Sequence, residues 1–323
     1  MIAVTGATGF VGRHTVAIAE ARSLKIRKLI RNCIPSTANG MSIGELSLGV
    51  IDPAVFIGCK TVIHIAARAH RLGEHGPSAL VEYQKTNVLG TQAVISAMLS
   101  AGVRRLVFVS SIKALGERSI GSPLRPNDIR HPEDPYGQSK SEAEDVITNC
   151  VATDAIDATI IRPVLVHGPQ AQGNLRRLME AIYRGHRLPL GAVCNRRSMI
   201  GLENLADALL VAATSPTFAN ARAPIYHLAD DGVISTRRLV EILAEGMGVK
   251  PRLISVPRWL AVGGATLLGK GAMARRLFDD LEVDDSDFRR DYGWKPTIGL
   301  EDGLRLMAED YARRMRDGSG YSG

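Results

Sequence analysis

The sequence contains few cysteines, few aromatic residues and no long hydrophobic run. Its four cysteines, Cys33, Cys59, Cys150 and Cys194, lie far apart and form no CxxC motif, as is typical of reduced, metal-free thiols in a cytoplasmic protein. The eight histidines show no zinc-ligand spacing either. We therefore expect a cytoplasmic protein without a metal site.

An exported or membrane-spanning chain is not expected. The sequence starts on strand-like residues 1–4, with no basic or apolar leader ahead of them. The most apolar later run, residues 259–269, has eleven residues and three glycines, which is too short to span a bilayer. We expect this run to form a buried helix, with a loosely membrane-facing helix as the alternative.

The charge balance favours an anionic partner. The net charge is +7, but the basic residues are scattered and aromatic residues make up only 5% of the chain. A nucleic-acid-binding module concentrates its basic residues on one face, so no nucleic-acid partner is expected. An anionic small-molecule substrate accounts for the charge.

A glycine-rich turn follows the first apolar run. Residues 2–5 are rich in β-formers, the turn carries Gly6, Gly9 and Gly12, and a helical pattern covers Phe10–Ala21. This order is the context of a dinucleotide-binding fingerprint. Gly6 permits the tight turn, Gly9 lets the backbone approach a pyrophosphate, and Gly12 lets the helix pack on the sheet. A glycine turn without a ligand is the alternative.

The second strand, expected at 26–30, runs into Arg31, where NAD-binding folds often carry an acid for the ribose 2′-hydroxyl. An arginine there suits a 2′-phosphate or stacks on adenine. A solvent-exposed arginine without a ligand is the alternative. The cofactor is therefore NAD or NADP, with NADPH slightly favoured.

Short-looped alternation of strands and helices predicts an α/β fold with a Rossmann-type doubly wound parallel sheet. Further strands are expected at 61–67, 105–111 and 158–161, and helices at 78–101 and 135–150. Beyond residue 168 the alternation becomes irregular. We predict a dinucleotide-binding domain at 1–167 with a returning segment at about 198–230, a smaller C-terminal substrate-binding α/β region at 168–323, and a disordered tail from about 317.

Tyr136 and Lys140 lie four residues apart, on one face of the helix expected at 135–150. A phenol has a pKa of about 10, and a nearby ammonium favours its phenolate form. The pair is thus suited to proton exchange with a sugar or alcohol hydroxyl. Ser111 ends a strand 25 residues before Tyr136. Taken alone, the pair also fits an ordinary solvated helix face.

The turn TGATGFVG, Ser111 and the Tyr136–Lys140 pair follow one another as in the extended short-chain dehydrogenase/reductases, and the chain resembles their NAD-dependent epimerase/dehydratase branch. GxxGxxG is the spacing of that family. The resemblance implies that Tyr136 is the acid/base, that Lys140 lowers its pKa and holds the nicotinamide ribose, and that Ser111 bonds the reacting oxygen. The other implied cofactor contacts are Thr5, Gly6, Gly9, Phe10, Val11, Gly12, Arg31, Ala66, Ala67, Asn87, Ser110, Pro163 and Val166. The implied substrate contacts are Ser111, Lys113, Asn174 and Arg197.

Departures from the family pattern reduce the number of candidate reactions. Ile112-Lys113 stands where 4,6-dehydratases carry an Asp-Glu pair, so dehydration is not expected. Leu165 stands where many 4-epimerases have an asparagine, and Arg31 replaces the usual NAD-selecting aspartate.

Three stretches, at 110–117, 135–140 and 189–198, are similar to a bacterial surface-polysaccharide subgroup of the family. The resemblance implies NAD(P)-dependent hydride transfer at C4 of a UDP-linked hexose. We favour reduction of a UDP-4-keto-6-deoxy-N-acetylhexosamine. A UDP-glucose or UDP-N-acetylglucosamine 4-epimerase is the alternative, and a non-catalytic dinucleotide-binding sensor is a remote one.

The family resemblance also implies a homodimer through the helices around 86–101 and 136–150. Apolar residues suited to that interface are Val88, Ala93, Leu99, Ala143, Val146 and Ile147. An intramolecular core would need the same residues, so both uses of them stay open.

Overall fold

The structure is a computed structural model that describes residues 1–32, 40–69, 74–216, 224–267, 271 and 277–318. Its strands, numbered in chain order, are Ile2–Thr5 (β1), Ile26–Ile30 (β2), Gly40–Ser42 (β3), Thr61–His64 (β4), Arg105–Val109 (β5), Asp157–Pro163 (β6), Leu165–His167 (β7), Arg187–Leu188 (β8), Met199–Gly201 (β9), Ile225–Leu228 (β10) and Arg252–Leu253 (β11).

Seven strands form one parallel sheet in the order β10-β6-β5-β4-β1-β2-β3. The strand order reverses beside β1, which pairs with β2 on one side and β4 on the other, so that Thr5 is opposite both Leu29 and His64. In open α/β sheets, ligands bind outside the carboxyl ends of the strands at such a reversal. The predicted doubly wound parallel sheet is confirmed.

Helices cover both faces of the sheet. The helices are Phe10–Ala21 (α1), Gly76–Gln84 (α2), Gly90–Ser100 (α3), Pro135–Ala152 (α4), Gly173–Tyr183, Leu202–Thr214, Thr236–Met247, Arg258–Leu267, Ser286–Tyr292 and Leu300–Arg316. The core on one face joins the sheet to α1 and Leu202–Thr214. The core on the other face joins it to α3 and α4. The sheet is therefore buried on both sides, which explains its nearly continuous apolar strands.

A third core lies in the part of the chain from about residue 168 onward, which we call the second region; residues 1–167 are the first region. Helices Gly173–Tyr183, Thr236–Met247 and Leu300–Arg316 supply most of this third core. Between these helices the chain returns to the first region, where Leu202–Thr214 packs on the sheet and β10 pairs with β6. The short pairs β7–β9 and β8–β11 complete the second region.

The structure differs from the sequence expectations in three places. The helix expected at 78–101 contains a π-turn at Lys85–Leu89. The edge strand β3 was not expected. The helix Arg258–Leu267 is not fully buried, since Trp259 is 72% exposed to solvent. An apolar run predicted burial there, but only part of the helix meets the core.

The apolar residues named for a dimer interface largely serve the chain's own core. Ala93, Ala143 and Ile147 are buried there, and Leu99 and Val146 pack against it. The intramolecular alternative accounts for these five side chains, and the homodimer stays a prediction.

None of the helices in the described ranges is long and apolar enough to cross a membrane. Cys33 and residues 319–323, most of the expected tail, lie outside the described residues.

Candidate active site

The glycine turn between β1 and α1 is held together by close backbone contacts. Gly6 has a φ of +67°, which favours glycine, and a Cβ there would lie 2.8 Å from the Ala66 nitrogen. A Cβ on Gly12 would overlap the Gly6 carbonyl oxygen. The Gly9 N–H donates to the same carbonyl at 2.9 Å. The three glycines therefore let the backbone come close at the α1 N-terminus, where a pyrophosphate fits.

The side chains of Phe10 and Val11, which follow Gly9, face the protein interior. Val11 packs against the core of the sheet, whereas Phe10 packs against the core of the second region. Phe10 thus connects the glycine turn to the region in which we expect the substrate.

A buried chain of hydrogen bonds runs behind the turn. Thr5 Oγ1 accepts from the Ala66 N–H at 3.1 Å and lies 2.7 Å from His64 Nδ1. His64 Nε2 lies 3.2 Å from Thr91 Oγ1, whose hydroxyl donates to the Asn87 carbonyl at 2.6 Å. Because the Thr91 proton is used in that bond, Nε2 must be the His64 donor and Nδ1 the acceptor from Thr5. The Thr5 side chain is therefore occupied within the protein.

Burial lowers the pKa of His64 to about 3. The neutral ring is also the only form that fits its neighbours, because Nδ1 accepts a hydrogen bond. His64 is a structural residue that joins β1 and β4 to the π-turn.

Asn87 lies in the π-turn, and its side chain is committed to protein contacts. Its amide nitrogen donates to Ser139 Oγ at 2.9 Å, and its oxygen accepts from the Arg68 N–H at 2.8 Å. The Ser139 hydroxyl in turn donates to the Tyr136 carbonyl at 2.8 Å. π-turns often occur at functional sites. Here the turn ties the loop after β4 to the start of α4.

The predicted catalytic trio is brought together where β5 ends and α4 begins. Tyr136 and Ser111 share a side-chain hydrogen bond. The Lys140 ammonium, 2% exposed, donates to the Val109 carbonyl at 2.8 Å. It also lies 4.6 Å from the centre of the Phe108 ring. The two hydroxyls thus share one site, with the ammonium held beside the end of the same strand.

The pKa of Tyr136 differs from the sequence expectation. Burial raises it above the ordinary value, and nearby Asp134 and Tyr83 raise it further, while the hydrogen bond with Ser111 opposes them. The Lys140 ammonium is bound to the Val109 carbonyl. Burial lowers the pKa of Lys140 itself to about 7. The phenol is therefore protonated at neutral pH.

A buried ion pair lies one helical turn beyond Lys140. Arg162 binds Glu144 through two hydrogen bonds of 2.9 and 2.6 Å, and both side chains are 1% exposed. The Ser110 hydroxyl donates to Glu144 at 2.5 Å. Ser110, expected to contact the cofactor, thus directs its side chain at this pair. Glu144 also opposes the fall in the Lys140 pKa.

Lys113, expected to contact the substrate, is instead bound to two carboxylates. Its ammonium lies 2.9 Å from Glu117 and 2.5 Å from Asp134, and it is 22% exposed. Asp134 also caps α4 by accepting from the Gly137 N–H at 2.7 Å. Lys113 therefore anchors the helix that carries Tyr136.

The remaining predicted cofactor residues lie around the same edge of the sheet. Arg31 follows β2 and is 74% exposed, with a distant ion pair to Glu45 at 4.0 Å. Pro163 ends β6, opposite Leu228, and Val166 lies in the adjoining β7. Ala67 follows Ala66 in the half-buried loop after β4.

The two predicted diphosphate contacts lie in the second region. Asn174 is exposed in the first turn of Gly173–Tyr183. Arg197 donates to the Asp279 carbonyl at 3.1 Å, whereas neighbouring Arg196 makes a bidentate pair with Glu282. The two arginines therefore do not act as one cationic pair.

Several residues of the site were missed by the sequence reasoning. Asp134, Gly137, Glu144 and Arg162 all position α4. The signal for Gly137 was present, because glycine inside a helix is unfavourable and often marks a close approach. A Cβ there would overlap the Lys113 carbonyl. Glu144 and Arg162 carry no such signal, since their partners are distant in sequence.

The comparisons with known proteins agree with this geometry. The family model described as NAD dependent epimerase/dehydratase family matches residues 2–229. The chain belongs to this family. It is 31% identical over 317 residues to a UDP-glucose 4-epimerase of Vibrio cholerae, covering 96% of this chain and 95% of that protein. The predicted family resemblance is confirmed.

A second relative and a solved structure extend the comparison. An N-acetyl-alpha-D-glucosaminyl-diphospho-ditrans,octacis-undecaprenol 4-epimerase of Escherichia coli O157:H7 is 29% identical over 272 residues, 81% of this chain and 77% of that protein. The solved structure of MoeE5 in complex with UDP-glucose and NAD superposes with a TM-score of 0.76 at 23% identity, covering 97% of this chain and 99% of that one. The latter likeness shows the shared fold.

Family membership identifies the chain as an enzyme that uses a nicotinamide dinucleotide. The site fits such a cofactor, because Gly6, Gly9 and Gly12 add no side chain near the α1 N-terminus and small Ala66 and Ala67 follow the neighbouring strand β4. Gly6, Gly9 and Gly12 would hold the pyrophosphate, and Lys140 the nicotinamide ribose. Among the described residues, no group of three His, Cys, Asp or Glu side chains could hold a metal.

Proposed function

We propose that this enzyme catalyses NAD(P)-dependent hydride transfer at C4 of a UDP-linked hexose. The observation that carries the proposal is the hydrogen bond between Ser111 and Tyr136, with Lys140 held on the Val109 carbonyl. Two hydroxyls at one point can bind one sugar oxygen, and one of them can transfer its proton. The Vibrio cholerae relative supports the substrate class, because its name gives a UDP-hexose and the C4 position.

Each residue of the trio has a separate task in this proposal. Tyr136 gives its phenolic proton to the C4 oxygen during reduction and takes it back during oxidation. Ser111 donates a hydrogen bond to the same oxygen and keeps it in place. Lys140 binds the cofactor ribose, and its positive charge favours the phenolate when the proton has left. A bound nicotinamide supplies or accepts the hydride.

We favour the 4-ketoreductase, acting on a UDP-4-keto-6-deoxy-N-acetylhexosamine with NADPH. Reduction of a ketone requires a proton donor, and burial keeps Tyr136 protonated at neutral pH. Exposed Arg31, beyond the carboxyl end of β2, is available to a 2′-phosphate. Lys113 is paired with carboxylates where dehydratases of the family carry an acid.

A UDP-glucose or UDP-N-acetylglucosamine 4-epimerase is the second candidate. It is favoured by the relatives from Vibrio cholerae and Escherichia coli O157:H7, both of which are named as 4-epimerases. Such an enzyme would oxidise and re-reduce C4 with a retained NAD. Leu165, 40% exposed in β7, argues for the reductase because many 4-epimerases carry an asparagine there.

The test is an assay of the purified enzyme with two substrate sets. Oxidation of NADPH upon addition of a UDP-4-keto-6-deoxy-N-acetylhexosamine supports the reductase. Interconversion of UDP-glucose and UDP-galactose, or of their N-acetyl forms, without added cofactor identifies the epimerase. No C4 chemistry on either set contradicts the proposal.

A further inference from the structure

An apolar helix on the surface of the second region exposes one face that the described residues leave uncovered. In Arg258–Leu267, Ala261 and Val262 pack against the third core, whereas Trp259 and Leu260 are 72% and 47% exposed. Tryptophan is rarely left this exposed without a function, because its ring carries a large apolar area.

Two more exposed apolar residues flank this helix in the sequence. Ile254, 43% exposed, is placed four residues before it, and Leu277, 36% exposed, lies after it. We call the four exposed residues Ile254, Trp259, Leu260 and Leu277 the apolar patch. Exposed apolar residues concentrated in one stretch of the chain differ from the single ones scattered over every protein surface and indicate a contact site.

Positive charge adjoins the apolar patch through β11. Side chains alternate along a strand, so Arg252 points to the same side as Ile254, while Leu253 packs on the core. Arg187 of β8 is directly opposite Arg252 in the parallel register. Like charges at directly opposite positions of two strands are unfavourable. Exposed Lys250 adds a third cation two residues earlier.

These three cations have no carboxylate partner among the described residues. Two nearby arginines do have carboxylate partners. Arg184 is paired with Glu180, and Arg258 with Asp279. The surface beside the apolar patch thus keeps uncompensated positive charge, which calls for an anionic partner.

We propose that the apolar patch and the cations Arg187, Lys250 and Arg252 together dock this enzyme on an anionic phospholipid bilayer. Tryptophan and leucine enter the interface between headgroups and acyl chains, and the cations bind the anionic headgroups. The helix is too short to span the bilayer, so it lies in the plane of the surface. A second copy of the chain is disfavoured as the partner, because it would bring two sets of unpaired cations together.

The direct test is intrinsic tryptophan fluorescence with lipid vesicles. The chain has two tryptophans, Trp259 and Trp294, and Trp294 is buried at 4% exposure. Vesicles of phosphatidylcholine containing phosphatidylglycerol should shift the emission to shorter wavelength and co-sediment with the full-length protein. Vesicles of phosphatidylcholine alone should do neither. Equal binding to both kinds of vesicle, or to neither, would overturn the proposal.

Two variants locate the contact. Arg187→Ser/Arg252→Ser should weaken binding to the anionic vesicles by about tenfold to a hundredfold. Trp259→Ala/Leu260→Ser should weaken it and abolish the emission shift. The matched control is Ile129→Ser, which removes a side chain that is 94% exposed but lies outside the patch and should bind normally. Undiminished binding of either double variant contradicts the docking surface.

The alternative partner, a second copy of the chain, is tested separately by sedimentation. Sedimentation of the free protein should give a mass that Trp259→Ala/Leu260→Ser does not change. A mass that this variant halves, without vesicle binding by the parent protein, would show that the apolar patch is a subunit interface instead.

Discussion

The ammonium of Lys113 lies 2.5 Å from the carboxylate of Asp134, the residue that caps the helix carrying Tyr136. Asp134 raises the pKa of Tyr136, and Lys113 opposes that effect because it neutralises the carboxylate. Lys113 thus connects the turn after β5, which carries Ser111, to the start of α4. The two hydroxyls of the site are held by this connection.

Lys113→Met should remove the ammonium that is paired with Asp134 and Glu117. We expect the pKa of Tyr136, read from the pH dependence of kcat/KM, to move upward, with a loss of roughly 1.5–3 kcal/mol in the free energy of unfolding. Lys113→Arg should restore most of both. The matched control is Lys85→Met, which removes a cation from an exposed pair with Glu82. An unchanged pH profile in Lys113→Met would show that the pair is only structural.

Tyr136→Phe should lower turnover by about 10²- to 10⁴-fold, because it removes the proton donor. Dinucleotide affinity, measured by calorimetry, should be nearly unchanged. Lys140→Ala should reduce both, since the lysine also holds the ribose. Tyr183→Phe, at a tyrosine in edge-to-face contact with Tyr311, serves as the control. Near-normal turnover of Tyr136→Phe would refute the assignment of the acid/base.

Gly137→Ala should lower turnover although alanine favours helices. Its Cβ would overlap the Lys113 carbonyl, so α4 must move away from the turn that carries Ser111. The control is Gly263→Ala, at a helical glycine whose Cβ would have no neighbour within 4 Å. That variant should be unchanged or more stable by up to about 1 kcal/mol. Equal behaviour of the two variants in activity and urea unfolding would contradict the close approach.

The His64 pKa of about 3 predicts acid sensitivity. An unfolded histidine has a pKa of about 6.5, so the neutral ring contributes its full stability above that pH. As the pH falls from 6.5 towards 3, the contribution is lost at about 1.4 kcal/mol per unit. Urea unfolding between pH 7 and 5 should show this slope, and His64→Gln should reduce it. Part of the slope should remain, because burial also lowers the pKa of His227 to about 4. An identical slope in the variant would place the titration elsewhere.

Arg31→Asp should reverse the cofactor preference. A charge-assisted bond to a 2′-phosphate corresponds to a preference for NADPH of about tenfold to a hundredfold. The aspartate should erase or invert it without affecting the Tyr136 chemistry. Lys25→Asp, the same charge change at the other end of β2, is the control. Equal NADH and NADPH affinities in the parent protein would remove the argument from Arg31 for the reductase.

Local patterns in the sequence determined much of this protein. The glycine turn, the spacing of Tyr136 and Lys140, and the alternation of strands and helices depend on residues that are close in the chain. They predicted the parallel sheet and the family. These patterns can be interpreted without knowing which distant residues pack against them.

Tertiary structure decided which side chains remain for ligands. Thr5, Asn87, Ser110 and Lys113 were all expected at a ligand, and each also has a protein partner for its side chain. Those partners are distant in the sequence. They meet because parallel strands bring their carboxyl ends to one edge of the sheet. This proximity is not apparent from the order of the residues in the sequence.

Tertiary structure also decided the exposure of Trp259 and the pKa of Tyr136. The apolar run at 259–269 predicted burial, but a helix buries only the face for which a neighbouring core has room. The spacing of Tyr136 and Lys140 predicted a lowered phenol pKa. In the folded structure desolvation raises this pKa, because a buried phenolate would lose its water.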